Sequence, residues 1–63
     1  MHPATEHVLK FFDFYHLPER LRIVAEPFAV LAKQVAASAD NPETTVALRK
    51  LLEAKDAAVR AVL

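Results

Sequence analysis

Lys55 is the residue whose position most needs a chemical explanation. It lies near the middle of an apolar arc in the C-terminal segment 41–63, where a charged group is costly unless it has a partner. Three interpretations stay open: the side chain extends along the apolar face to solvent, it fixes the register of an oligomer, or it meets an anion in a cavity between protomers. Arg60 could join it from a neighbouring subunit, because guanidinium groups suit bidentate phosphate binding.

The aromatic side chains are concentrated in one short stretch, since four of the five lie between Phe11 and Tyr15. The simpler interpretation is that this segment covers the open side of a helical hairpin. The alternative is that one ring stacks on a ligand. Tyr15 is the best candidate, because a ring at a helix end can face a pocket while its hydroxyl reaches a polar group.

The sequence contains no pattern typical of a catalytic or metal site. His2, His7 and His16 lack the i, i+3 or i, i+4 spacing of helical metal ligands, and cysteine is absent. Glu53 and Asp56 lie one turn apart, with an arginine four residues before the first and four after the second. This spacing predicts a ladder of intrahelical ion pairs. We therefore expect a protein that is not an enzyme and needs no cofactor.

Two long helices must position these side chains. Asn41 and Pro42 form a helix-start signal, and neither glycine nor a further proline interrupts the residues that follow. Residues 18–37 carry a second apolar arc, which includes Leu31 and has the same phase on both sides of Pro27; this predicts a kinked but continuous helix. Residues 38–42 are short and polar, as in a connection between antiparallel helices.

The N-terminal region is predicted to form a short helix over residues 4–15, because Val8, Phe11, Phe12 and Tyr15 follow helical spacing. A break follows at residues 16–18, which end in proline. The predicted fold is all-α: one domain over residues 1–63, built as a kinked antiparallel helical hairpin with a short N-terminal helix.

The apolar arc of segment 41–63 covers about half of the helix circumference, more than one neighbour needs. A chain of 63 residues without cysteine buries only about 60% of its extended surface and has no disulfide to support it. Both observations predict an obligate homo-oligomer. Ile23 and Val30 lie off the main arc on either side of Pro27; they are either ordinary surface residues or a second contact strip for another subunit.

Composition disfavours several classes of partner. Eight basic residues balance eight acidic ones, whereas proteins that bind long nucleic acid show a positive excess. The longest apolar run within the middle of the chain, residues 28–32, is too short to cross a bilayer. The N-terminus does not resemble a signal peptide, and glycine, which P-loop and Rossmann motifs require, is absent. We expect a soluble intracellular protein without long nucleic acid or membrane partners.

Several short motifs resemble a known family: Tyr15-His16-Leu17-Pro18, Glu26-Pro27-Phe28, Leu31-Ala32 and the stretch 48–61, LRKLLEAKDAAVRA. From about Phe12 to Leu63 the chain is similar to the hairpin domain of viral sponges that sequester cyclic-nucleotide immune signals, the anti-CBASS and anti-Thoeris sponges. The resemblance implies a homohexamer in the host-cell cytoplasm. Such a protein binds cyclic di- or trinucleotides, or related cyclic ADP-ribose molecules, between protomers without cleaving them.

The resemblance also implies roles for single residues. Tyr15 matches the aromatic residue that stacks on a base, and Arg60 matches an arginine of the C-terminal helix. Lys33 is the only lysine available for the lysine of the second helix. The predicted ligand-binding set is Tyr15, His16, Lys33, Lys55 and Arg60. The alternative function is a small structural or protein-interaction module of phage or prophage origin, whose wide apolar arc meets a different protein.

Overall fold

Three α-helices and one 3₁₀ turn make up the regular structure, and the computed structural model describes residues 1–63. Helix α1 spans Pro3–Leu9 and continues into a 3₁₀ turn at Lys10–Phe12; α2 spans Glu19–Ser38 and α3 spans Pro42–Ala61. There is no strand. The predicted all-α class is confirmed, with α2 and α3 packed together as the main pair.

Helix α3 begins where the sequence predicts. The side-chain oxygen of Asn41 accepts hydrogen bonds from the backbone N–H groups of Glu43 and Thr44, at 3.0 and 3.3 Å. The Thr44 hydroxyl accepts from the N–H of Asn41 at 3.5 Å and donates to the carbonyl of Ala39 at 3.0 Å. This capping box satisfies backbone donors that the helix leaves unpaired. It also holds the short turn between α2 and α3.

Helix α2 runs without interruption through Pro27, so the predicted continuity is confirmed, whereas the kink stays a prediction. Its buried face consists of Leu21 near the start of the helix and of the alanines that follow, Ala25, Ala29, Ala32 and Ala36. The predicted arc placed Leu31 in the core, and this was wrong, because Leu31 is 45% exposed. The buried face is turned toward Ala29 and Ala36, since the N-terminal segment covers that side of the helix.

The N-terminal helix is shorter than predicted. It gives way to the 3₁₀ turn after Leu9, and Asp13 is already extended, with φ −61° and ψ 133°. One carboxylate oxygen of Asp13 accepts the N–H of Tyr15 at 3.3 Å. Such a local bond competes with the helical pattern. The prediction of a helix to residue 15 was therefore wrong in its last turn.

The N-terminal segment packs on the helical hairpin, but of its aromatic residues only Phe12 is buried, whereas Phe11 and Tyr15 are 52% and 76% exposed. Val8 and Phe12 are buried in one core with Leu48 of α3 and the alanines of α2. Thr5 lies against Thr45 near the turn, with 3.4 Å between the two hydroxyl oxygens. α1 thus starts beside the turn, and the residues after Phe12 lead toward the open end of the hairpin.

A hydrogen bond joins the two long helices at the open end of the hairpin. A guanidinium nitrogen of Arg20 donates to the carbonyl of Val62, just beyond the end of α3. The last carbonyl groups of a helix lack partners within the helix, and a basic side chain can supply them. This bond holds the start of α2 beside the end of α3, where the candidate site lies.

Much apolar surface is left uncovered on the single chain. Leu48 is the only apolar residue of α3 that is fully buried, and Ile23 and Val30 of α2 are 67% and 51% exposed. No helix combines the length and the apolar character needed to cross a bilayer.

Candidate ligand-binding site

Two clefts are lined by residues of the N-terminal segment: the larger also by residues 55–60 near the end of α3, and the smaller also by Ala29 and Lys33 of α2. The larger has a volume of about 360 Å³ and the smaller of about 190 Å³. Asp13 lines both of them, so the clefts adjoin each other through this residue. The larger volume falls within the roughly 300–1,000 Å³ of small-molecule sites. The smaller one suits only a part of such a ligand.

The larger cleft is rich in charged groups. Its ionisable wall residues are Lys10, Asp13, His16, Lys55, Asp56 and Arg60. Three lysine and arginine side chains face two carboxylates, so the cleft has an excess of positive charge when the imidazole is neutral. Such a cleft favours an anion but also offers acceptor oxygens to a ligand that carries hydrogen-bond donors.

Lys55 of α3 has only 14% of its side chain exposed and lines the larger cleft together with residues of the N-terminal segment. Its ammonium is 3.0 Å from a carboxylate oxygen of Asp56. The predicted core-like position is thus observed. The side chain lines the larger cleft, and its ammonium lies beside a carboxylate that is 48% exposed.

The predicted ladder of ion pairs along α3 was wrong. Glu53 pairs with Lys50, at 3.7 Å, and Asp56 pairs with Lys55. The arginine at 60 lies in the wall of the larger cleft and has no carboxylate within 4 Å. It therefore shares the cleft with Lys55 of its own chain, so a neighbouring subunit is not needed to bring the two cations together.

The smaller cleft combines aromatic rings with a cation. Phe14 and Tyr15 stack with 4.5 Å between ring centroids and 27° between ring planes, and Lys33 of α2 lies in the same wall. Tyr15 is 76% exposed, and Lys33 takes part in neither ion pair. An exposed ring beside an unpaired ammonium is an arrangement that can bind a base next to a phosphate.

All five residues predicted to bind a ligand line one of these clefts. His16, Lys55 and Arg60 belong to the larger, and Tyr15 and Lys33 to the smaller. The sequence predicted them as one set, and the structure divides them between two adjoining clefts.

Among the wall residues that sequence reasoning did not select are Lys10, Asp13 and Phe14. Asp13 carried a usable signal, because an aspartate side chain often accepts the backbone N–H two residues later and forms a local turn that ends a helix. Lys10 had no such signal: its place depends on the 3₁₀ turn that follows α1.

No three histidine, aspartate or glutamate side chains lie close enough together to hold a metal ion. A comparison with known proteins, by family model, curated sequence and solved structure, finds no match to this chain.

Proposed function

We propose that the protein is a non-enzymatic sponge that binds cyclic di- or trinucleotides, or related cyclic nucleotide signals, and withholds them from their receptors. The observation that carries this proposal is the pair of adjoining clefts. One holds an exposed tyrosine ring beside an unpaired lysine, and the other holds Lys55 and Arg60. A cyclic nucleotide presents bases for stacking and phosphates for charged hydrogen bonds, which are the two kinds of group that these walls complement.

The interaction energies are large enough for tight binding. Stacking on an aromatic ring contributes about 1–3 kcal/mol per base, and a hydrogen bond to a charged group contributes about 1.5–3 kcal/mol. One ring and three cations, Lys33, Lys55 and Arg60, would together offset the cost of immobilising a small ligand. No nucleophile or general base is needed for this role, because the ligand is retained and not cleaved.

A homo-oligomer, with six subunits implied by the resemblance to viral sponges, is part of the proposal. Tyr15 and Lys33 lie on the surface of the single chain, so a second subunit would close the smaller cleft over a ligand. The exposed Ile23 and Val30 supply apolar area for such contacts. A two-fold interface would also present the same residues to both halves of a symmetric ligand.

The resemblance rests in part on the motif Tyr15-His16-Leu17-Pro18. Three of these four residues line the clefts: Tyr15 lines the smaller one, and His16 and Leu17 line the larger one. This placement supports a shared binding role. The site of action that the resemblance implies is the cytoplasm of an infected host cell, where the signals are made.

A second candidate function is that of a protein-interaction module. A groove of about 490 Å³ on the outer face of α2 is lined by Ile23, Pro27, Val30 and Leu31 together with two polar residues. A purified chain that is monomeric or partly unfolded favours this function. A stable closed oligomer of the purified chain favours the sponge.

Calorimetry with a panel of cyclic di- and trinucleotides and cyclic ADP-ribose tests the leading proposal. We expect at least one ligand to bind well below about 100 µM and to be recovered intact. Tyr15→Ala should lower the affinity for that ligand by about 5- to 150-fold, because one base loses its stacking partner. Tyr15→Phe keeps the ring and should retain most of the affinity. No binding to any member of the panel would end the proposal.

A further inference from the structure

We propose that Asp13 selects ligands that contain guanine. In this proposal, which depends on the sponge function above, its carboxylate accepts the N1–H and the 2-amino group of a guanine that stacks on Tyr15. The residue is placed to do this because it lines both clefts and lies two residues before the exposed ring.

The orientation of the Asp13 carboxylate is tied to Tyr15. One of its oxygens accepts the backbone N–H of Tyr15 at 3.3 Å, and the residue itself is exposed. An ionised carboxylate has about four acceptor positions, so this single bond leaves most of its capacity unused. The carboxylate that reads the base and the ring that stacks on it are therefore held by one short turn.

Asp13 has no cationic partner. The ion pairs of the chain are those of Lys50 with Glu53 and of Lys55 with Asp56, although the larger cleft contains several cations. An exposed carboxylate in the wall of an anion-binding cleft is unfavourable for a phosphate. The carboxylate of Asp13 can stabilise a bound ligand only if the ligand offers hydrogen-bond donors to it. In a cyclic nucleotide, such donors lie on the edges of the bases.

Guanine is the common base whose pairing edge carries two adjacent donors, at N1 and at the 2-amino group. Adenine presents one donor beside an acceptor, and so does cytosine; uracil presents one donor between two acceptors. The two oxygens of the Asp13 carboxylate can therefore each accept one donor of guanine. On adenine, cytosine or uracil, one of the two oxygens would face an acceptor lone pair, which repels it. A bidentate contact of this kind discriminates between bases by about 5- to 150-fold.

The alternative role for Asp13 is a local one, in which its side chain only ends the 3₁₀ turn. Asp13→Asn separates the two roles. Asparagine keeps the side-chain oxygen that accepts the N–H of Tyr15, but it replaces the second acceptor with a donor. A purely structural role would leave the ratio of affinities for two ligands unchanged.

The test compares cyclic di-GMP with cyclic di-AMP by calorimetry on the full chain. We expect the unchanged protein to prefer cyclic di-GMP by about 5- to 150-fold. Asp13→Asn should remove this preference by weakening cyclic di-GMP alone, whereas Asp40→Asn, in the distant turn between α2 and α3, should preserve it. Equal affinities in the unchanged protein, or equal weakening of both ligands by Asp13→Asn, would overturn the assignment and leave the sponge proposal standing.

A second experiment changes the ligand instead of the protein, so that it gives a result even if Asp13→Asn does not fold. Cyclic di-IMP lacks only the 2-amino groups of cyclic di-GMP, and we expect it to bind the unchanged protein at least about fivefold more weakly. Equal binding of these two ligands would contradict the role of Asp13. Failure of the whole panel to bind would instead contradict the sponge function itself.

Discussion

The ammonium of Lys55 lies 3.0 Å from the carboxylate of the next residue, Asp56. Adjacent residues of a helix do not face each other, so the lysine side chain must turn toward the flank of α3 to make this contact. Only 14% of that side chain is exposed, against 48% for Asp56. The pair therefore keeps a largely buried cation at the wall of the larger cleft, where an anionic ligand would compete with the carboxylate.

Replacing Lys55 with methionine should weaken binding of a cyclic nucleotide by about 10- to 100-fold, because one charged hydrogen bond of about 1.5–3 kcal/mol is lost. Methionine keeps the length and apolar character of the stem, so the fold should be retained. Lys50→Met is the matched control, since Lys50 is exposed and pairs with Glu53 away from the clefts. Calorimetry measures both variants; equal effects would show that Lys55 does not contact the ligand.

Replacing Asp56 with asparagine should have the opposite effect. Without the carboxylate, the ammonium of Lys55 has no competing anion, and affinity for the ligand should rise by about fivefold, the value of roughly 1 kcal/mol for a partly exposed ion pair. The gain should disappear when Lys55→Met is already present. A gain of the same size in that background would mean that Asp56 acts on the ligand directly and not through Lys55.

The fold was largely predictable because its signals are local. The helix start at Asn41, the connection over residues 38–42 and the continuity of α2 through Pro27 follow from capping, composition and phase. The face of α2 was less predictable, because alanines such as Ala29 and Ala36 carry a weak hydrophobic signal. They are buried in one core with Val8 and Phe12 of the N-terminal segment and Leu48 of α3.

The candidate site was predictable in its members but not in its arrangement. Tyr15, Lys55 and Arg60 were chosen for chemical type and place on a helix, and these properties are visible in a sequence. The division into two clefts depends on the turn at Asp13, where a side-chain bond to the N–H of Tyr15 replaces the last turn of the predicted helix.

Leu48 is the residue of α3 on which the core depends most, because it is fully buried among residues of α1, α2 and the 3₁₀ turn. Leu48→Ala should lower the free energy of unfolding by about 2–5 kcal/mol, a large part of the stability of so small a domain. Leu63→Ala, at the exposed chain end, should change it by less than about 0.5 kcal/mol. Chemical denaturation followed by circular dichroism measures both, and similar values would contradict the position assigned to Leu48.

Val30 and Ile23 lie on the outer face of α2, on either side of Pro27, and both are more than half exposed. If this strip joins subunits, Val30→Glu should place a charge in an apolar contact and shift the protein to smaller species in sedimentation velocity. Lys50→Glu, on the exposed side of α3, introduces the same side chain outside the strip and should leave the assembly intact.

The affinity of Val30→Glu for the ligand should fall together with the assembly, because a second subunit no longer closes the smaller cleft over Tyr15. If Val30→Glu leaves the assembly unchanged, the subunits meet through another surface. If the unchanged protein already sediments as a folded monomer, no contact between subunits is needed for folding, and the proposed oligomer is wrong.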